Sequence, residues 1–239
     1  MRKTFIAIIS SLMLVAFSSC RKNSTEIVED KFREYVYQNF DDPKDLVEIL
    51  SVEPMDTVSY EKLKGILDML YEIADNFDSL SHKNDSTVYM ISDKLTNDTF
   101  VRNMSQSSKK FFDGWLFDSY EVIQEYIVWM KTYEFERIDL RIEMDSLLET
   151  NKNVLQYEYL IKTRIKEKED LKIKKFYAIV DSVGTRFFTE PSFENYSENV
   201  YKLYKASRRY EDLTMQKKDI VLRRVELYKQ ALIVINSEE

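Results

Sequence analysis

The chain has 239 residues, a formal net charge of -7 and 32% charged side chains. That acidity disfavours sequence-independent nucleic-acid binding, which draws on Lys and Arg neutralising phosphates, and no partner of that kind is expected. With Gly65, Gly114 and Gly184 far apart, His82 as sole histidine and Cys20 as sole cysteine, no phosphate-cradling loop, dinucleotide fingerprint, His-based zinc site or intramolecular disulfide can be assembled.

The first twenty residues set the expectations for everything behind them. Arg2 and Lys3 form a short basic start, Phe5 to Phe17 is apolar except for Ser10 and Ser11, and Ser18-Ser19-Cys20 closes the run before Arg21-Lys22-Asn23-Ser24. This is the outline of a cleaved export signal, too short to span a bilayer, which needs about 20 apolar residues. The junction resembles a bacterial lipoprotein signal, with Phe17 where that family usually carries an aliphatic residue. The resemblance implies cleavage after residue 19, a lipid on Cys20 as membrane anchor, and a location in the cell envelope. Similar lipoproteins bound for the surface tend to carry acids just after the cysteine. Arg21 and Lys22 therefore point to an outer membrane protein facing the periplasm.

After a tether at 20–25, Ile27, Phe32, Tyr35, Val36 and Phe40 recur at helical spacing, and Asp41-Asp42-Pro43 ends the helix. Leu46 to Val58 reads as a strand, and Pro54, which cannot donate to a ladder, puts it at a sheet edge. Ser59 is placed to cap a helix over 60–80 with the stripe Leu63, Ile66, Leu67, Leu70, Ile73, Phe77 and Leu80. Residues 81–110 are rich in Ser, Asn, Asp and Lys, with a weak helical patch over 88–95, and predict a flexible connection that carries His82 as an exposed loop residue.

From Phe111 the chain is strongly aromatic, and Tyr126, Met130, Tyr133, Leu140, Met144 and Leu147 predict a helix over 115–149. Within it, 138–145 alternates as a strand would, but its Leu, Met, Glu and Arg favour helix and its Asp is depleted in strands. The alternation of Tyr157, Tyr159, Ile161, Thr163 and Ile165, resumed by Ile173, Phe176, Ile179 and Val180, predicts an antiparallel hairpin near 155–183, with a short third strand over 186–189. Lys172-Ile173-Lys174-Lys175 is short and flanked by acids, so it reads as a solvated face and not as a polybasic patch for anionic lipid. Residues 193–236 hold neither Gly nor further Pro beyond 191 and repeat apolar positions at threes and fours, as one long helix or two nearly collinear ones.

The fold class expected is therefore α+β and helix-rich, with long amphipathic helices packed with a small antiparallel sheet. Residues 1–19 form the cleaved leader, 20–25 the tether and 26–239 a single domain. The layout, with Asn39 to Asp45 and Leu160 to Asp181, resembles uncharacterised exported lipoproteins of the Bacteroidota type, a family that implies no activity.

Asp followed by Ser or Thr and a small or aliphatic residue occurs at Asp56-Thr57-Val58, Asp78-Ser79-Leu80, Asp85-Ser86-Thr87, Asp145-Ser146-Leu147 and Asp181-Ser182-Val183, where composition gives about one. The pattern is similar to the acceptor motif for periplasmic O-glycosylation in the same bacterial group, which makes Thr57, Ser79, Ser86, Ser146 and Ser182 candidates. Equally, Asp-Ser and Asp-Thr are ordinary turn and cap pairs. No catalytic, cofactor-binding or metal-ligating residues are assigned. The function expected is a non-catalytic envelope lipoprotein that binds or scaffolds another envelope protein. The alternatives are a small-ligand or glycan-binding lipoprotein that uses the sheet and the aromatics, Trp115 and Trp129 among them, and a hydrolase built on two facing carboxylates.

Overall fold

The computed structural model describes residues 23–238, and the leader and Cys20 lie outside them. The described chain is α+β and helix-rich, and it divides into two compact units where the sequence predicts one domain. One unit combines the described residues up to Ser59 with Val154–Tyr196, and the other combines Tyr60–Asn153 with the chain from Ser197 onward. The division was not legible locally because the sheet draws on segments far apart in sequence.

The first unit is a helix on a sheet. Helix α1 (Ser24–Asn39) lays Val28, Phe32 and Val36 on one face, four residues apart as a helical stripe requires. They pack on Tyr159, Ile161, Ile165, Phe176 and Ala178. Phe32 is fully buried, with its ring 5.0 Å from Phe176 and 5.4 Å from Phe187, a burial worth about 1.5–3 kcal/mol. A turn at Pro43, capped by the Asp42 carboxylate accepting from Lys44 N–H at 2.9 Å, leads into strand β1 (Leu46–Ser59).

Strands β2 (Leu155–Glu167), β3 (Asp170–Val180) and β4 (Thr185–Phe188) complete an antiparallel sheet in the order β1-β2-β3-β4. β1 lies at the edge, as Pro54 predicts, and shifts register three times against β2. The β2–β3 hairpin is as expected, closed by Lys168-Glu169 with Lys168 at φ 59°. A second turn joins β3 to β4. There Asp181 Oδ1 accepts from the N–H groups of Val183 and Gly184 at 2.8 and 3.1 Å, and Gly184 takes φ 152°, a backbone region that glycine enters without steric cost.

The second unit is helical: α2 (Tyr60–Thr96), α3 (Asp98–Asn103), α4 (Gln106–Thr150) and α5 (Glu198–Glu238). α5 is the central helix, packed on both α2 and α4. Its buried positions include Val200, Ser207, Thr214, Val221, Tyr228 and Ile235, seven apart, and Leu203, Tyr210, Lys217, Arg224 and Ala231 between them. That is a heptad repeat, the spacing that keeps one seam facing a supercoiling neighbour. One continuous helix thus resolves the two alternatives for the C-terminal segment. Residues 138–145 are helical within α4.

Two local expectations are corrected. Ser59 ends β1, and α2 follows without a break. Residues 81–110 are the end of α2, α3 and the start of α4. Val88, Ile91 and Leu95 give this stretch an apolar stripe. Its Ser and Asn residues serve as caps: Asn97 accepts from Thr99 and Phe100 N–H at 3.1 Å, and Ser105 from Ser108 N–H at 3.3 Å. Polar composition here marks helix junctions. His82 is exposed, on a helix and not in a loop.

Candidate functional site

Because α2 and α4 each pack on α5, the sides of the two outer helices can part above it. They do so toward the end of α2, where Val88, Ile91 and Leu95 face Trp115, Leu116, Ser119, Tyr120 and Ile123 of α4 over a floor containing Tyr228. The resulting open groove holds about 390 Å³, and none of the side chains lining it is charged. That volume lies within the range of small-molecule sites. The inner wall is fixed. Trp115 donates its indole N–H to the Leu227 carbonyl at 2.8 Å, and Tyr228 and Ile91 are buried. The rim is open, with Leu116 and Tyr120 exposed at 54% and 63%.

One polar atom stands out in this wall. Ser119 is 4% exposed, and its hydroxyl has no hydrogen-bond partner. An unmet buried hydroxyl costs about 1–3 kcal/mol, so a group that enters the groove and bonds to it recovers that energy. Elsewhere the clefts suit ligands less well. The cavity beside Met55, Tyr177 and Tyr196 holds about 40 Å³, enough for water only. The cleft at Trp129 and Tyr133 is crossed by the Arg223–Glu125 ion pair at 2.6 Å.

Next along the seam, two charged positions of the heptad are matched by acids. Arg137 reaches Asp78 at 2.7 Å and Glu134 at 2.8 Å, and Lys217 reaches Asp78 at 2.8 Å and Glu134 at 3.2 Å. Two cations and two anions from three helices thus form a neutral quartet. Burial raises the Asp78 carboxyl, but hydrogen bonds from Lys217 and Arg137 outweigh it and hold Asp78 below the ordinary aspartate range. Two turns further, buried Arg224 pairs with Asp85 and approaches Ser81 Oγ at 3.3 Å. Ser81 in turn meets the Tyr126 hydroxyl at 2.8 Å. Charges at seam positions set register, because a slipped helix would strand them.

The five candidate glycosylation positions are dispersed. Thr57 lies half-buried in β1, Ser79 and Ser86 are exposed on α2, Ser146 is exposed on α4, and Ser182 is exposed in the β3–β4 turn. Each preceding aspartate has work inside the fold: Asp56 accepts from Thr57 N–H, Asp78 sits in the quartet, Asp85 holds Arg224, Asp145 accepts from the Tyr71 hydroxyl, and Asp181 forms the turn and pairs with Arg186. Both tryptophans are buried, so neither indole stands out as a platform for a sugar ring. Among carboxylates, Asp56 and Glu158 face each other across β1 and β2, with Glu158 accepting from the Tyr196 hydroxyl at 2.6 Å.

Sequence reasoning missed the quartet and Ser119. The signal for the first was the seven-residue spacing of Lys217 and Arg224 within the apolar repeat. For Ser119, a serine four residues after Trp115, no sequence signal distinguishes a buried hydroxyl from an exposed one. No protein-family model, curated protein or solved structure matches this chain. Among the described residues, no helix is long and apolar enough to cross a membrane, and no cluster of His, Cys, Asp or Glu could hold a metal ion.

Proposed function

We propose that this chain is a non-catalytic binding protein of the cell envelope, anchored by lipid on Cys20, whose helical unit receives a small amphiphile in the groove between α2 and α4. The observation that carries the reading is the uncharged groove with the unpartnered Ser119 hydroxyl in its wall. The ligand chemistry follows from that lining: a neutral apolar body, such as a single acyl chain, with one group able to hydrogen-bond Ser119. Apolar contact supplies most of the affinity, at roughly 25 cal/mol per Å² buried, and the hydroxyl fixes depth of entry.

The test is titration of the protein with a sixteen-carbon fatty alcohol, read by Trp115 fluorescence. Saturable binding that Leu116→Asp removes and Ser119→Ala weakens is the expected result. Binding indifferent to both substitutions sinks the groove reading. The anchor is tested separately by the intact mass of protein purified from its own membranes. A mass of residues 20–239 plus acyl chains, absent in Cys20→Ala, is expected, and an unlipidated full-length mass would overturn it.

A further inference from the structure

The β2–β3 hairpin ends in a part of the sheet that the rest of its unit leaves uncovered. β1 pairs with β2 only as far as Leu46 opposite Ile165, and β4 covers β3 only over Tyr177–Val180. The strand from Leu171 to Lys175 is exposed throughout, and Leu171 and Ile173 stand at 61% and 67% exposure. Pairing across the hairpin gathers charge that no linear run displays. Leu171 lies opposite Lys166, Ile173 opposite Arg164 and Lys175 opposite Lys162, so one face alternates apolar and cationic side chains. Residues 164–175 hold six basic side chains against three acids in a chain that is acidic as a whole.

Some of these charges are already matched. Arg164 pairs with Glu48 at 2.8 Å and Lys162 with Glu53 at 2.8 Å. Lys172 and then Lys174 hold the Glu167 carboxyl down to about 2. Lys166, Lys168 and Lys175 make no ion pair among the described residues and surround the two exposed aliphatics. A lysine-lined edge discourages pairing with another strand, which disfavours a second copy as the occupant. Cations around a small apolar tip match the headgroup zone of an anionic bilayer, where lysines are drawn to the surface and aliphatic side chains enter the interface.

We infer that the β2–β3 hairpin tip docks on an anionic phospholipid surface through Lys166, Lys168, Lys175, Leu171 and Ile173. The contact is independent of the α2–α4 groove and adds orientation to whatever anchors the chain.

The experiment uses residues 21–239, which keep every described residue and omit Cys20, so that no acyl anchor contributes. Co-sedimentation is measured with vesicles of phosphatidylglycerol and phosphatidylethanolamine, and with vesicles of phosphatidylcholine alone. Each free lysine contributes about a fivefold gain in partition at such a surface, so the Lys166→Glu/Lys175→Glu double variant is expected to bind the anionic vesicles at least ~10-fold more weakly. High salt is expected to release the parent, and Leu171→Ser/Ile173→Ser to lower the fraction that resists salt. Circular dichroism and melting confirm that each variant is folded, which is expected because all four side chains are exposed. The inference is overturned if the parent fails to bind anionic vesicles at low salt, or binds phosphatidylcholine equally well. It is overturned as well if the double lysine variant binds undiminished, or if sedimentation of the protein alone shows a dimer that Leu171→Ser/Ile173→Ser abolishes.

Discussion

Replacing Arg137 by Met tests whether the buried quartet holds the helical unit together as a balanced set. Arg137 and Lys217 are 6% and 5% exposed at their side chains, Glu134 17% and Asp78 30%. Removing Arg137 alone leaves two carboxylates sharing one ammonium group in a largely dry seam. Breaking a buried pair costs about 3–5 kcal/mol, and the access of Asp78 to water places this case at the low end, about 3 kcal/mol. Arg137→Met/Glu134→Leu removes one charge of each sign and leaves Lys217 on Asp78 at 2.8 Å, so it should fall within about 1 kcal/mol of the parent, since apolar replacement of whole pairs is often neutral. The assay is urea unfolding followed by tryptophan fluorescence. Trp115 and Trp129 both belong to the helical unit, so the signal reports that unit alone. With a typical slope of about 2 kcal/mol/M, the single variant should lose roughly 1.5 M in midpoint. An unchanged midpoint in the single variant, or a double variant that falls as far as the single, would refute the balance argument.

Further outcomes follow from the same geometry. The Asp78 carboxyl titrates below its unfolded value, so its contribution is fully present above that value and is lost as pH falls through the lowered folded one. Tryptophan-reported stability should therefore decline below about pH 4 and decline less steeply in Asp78→Asn; identical profiles would contradict this. Ser119→Ala removes an unmet buried hydroxyl and should stabilise the ligand-free helical unit by about 1 kcal/mol, visible as a higher urea midpoint. Lys168→Gly should stabilise the sheet unit by several tenths of a kcal/mol, up to about 1, because the first position of this two-residue turn needs positive φ; thermal melting followed by circular dichroism at β-sheet wavelengths reads it. If the chain is O-glycosylated, mass spectrometry of peptides should find hexose-sized additions at Ser182, exposed in a turn, ahead of Ser146 on α4.

What the sequence disclosed and what it hid divide along physical lines. The β2–β3 hairpin was legible because one face of the sheet is covered by α1, which forces period-two alternation from Tyr157 to Ile165. α4 was legible through Tyr126, Met130 and Tyr133, and Pro54 marked its strand as an edge. Residues 81–110 misled because a helix with a narrow apolar stripe is mostly polar by composition, and its caps are the same Ser and Asn that make loops. The charged seam was hidden for a related reason. Lys217 and Arg224 occupy core positions only because Asp78, Glu134 and Asp85 meet them from other helices, so the sequence shows their seven-residue spacing but not the acids they pair with. The hairpin tip followed the same rule: Lys172 to Lys175 gained Arg164 and Lys166 as neighbours only through strand pairing.

The order in which the units are completed along the chain constrains when either can fold. β1 has no partner until β2 follows Tyr60–Asn153, and the helical unit lacks its central member until α5 follows the sheet strands. During synthesis the apolar stripe of α1 therefore waits for the sheet, and Asp85 of α2 waits for Arg224 of α5. The sheet unit can close only once β4 has followed Tyr60–Asn153, and the helical unit only once α5 has followed the sheet unit.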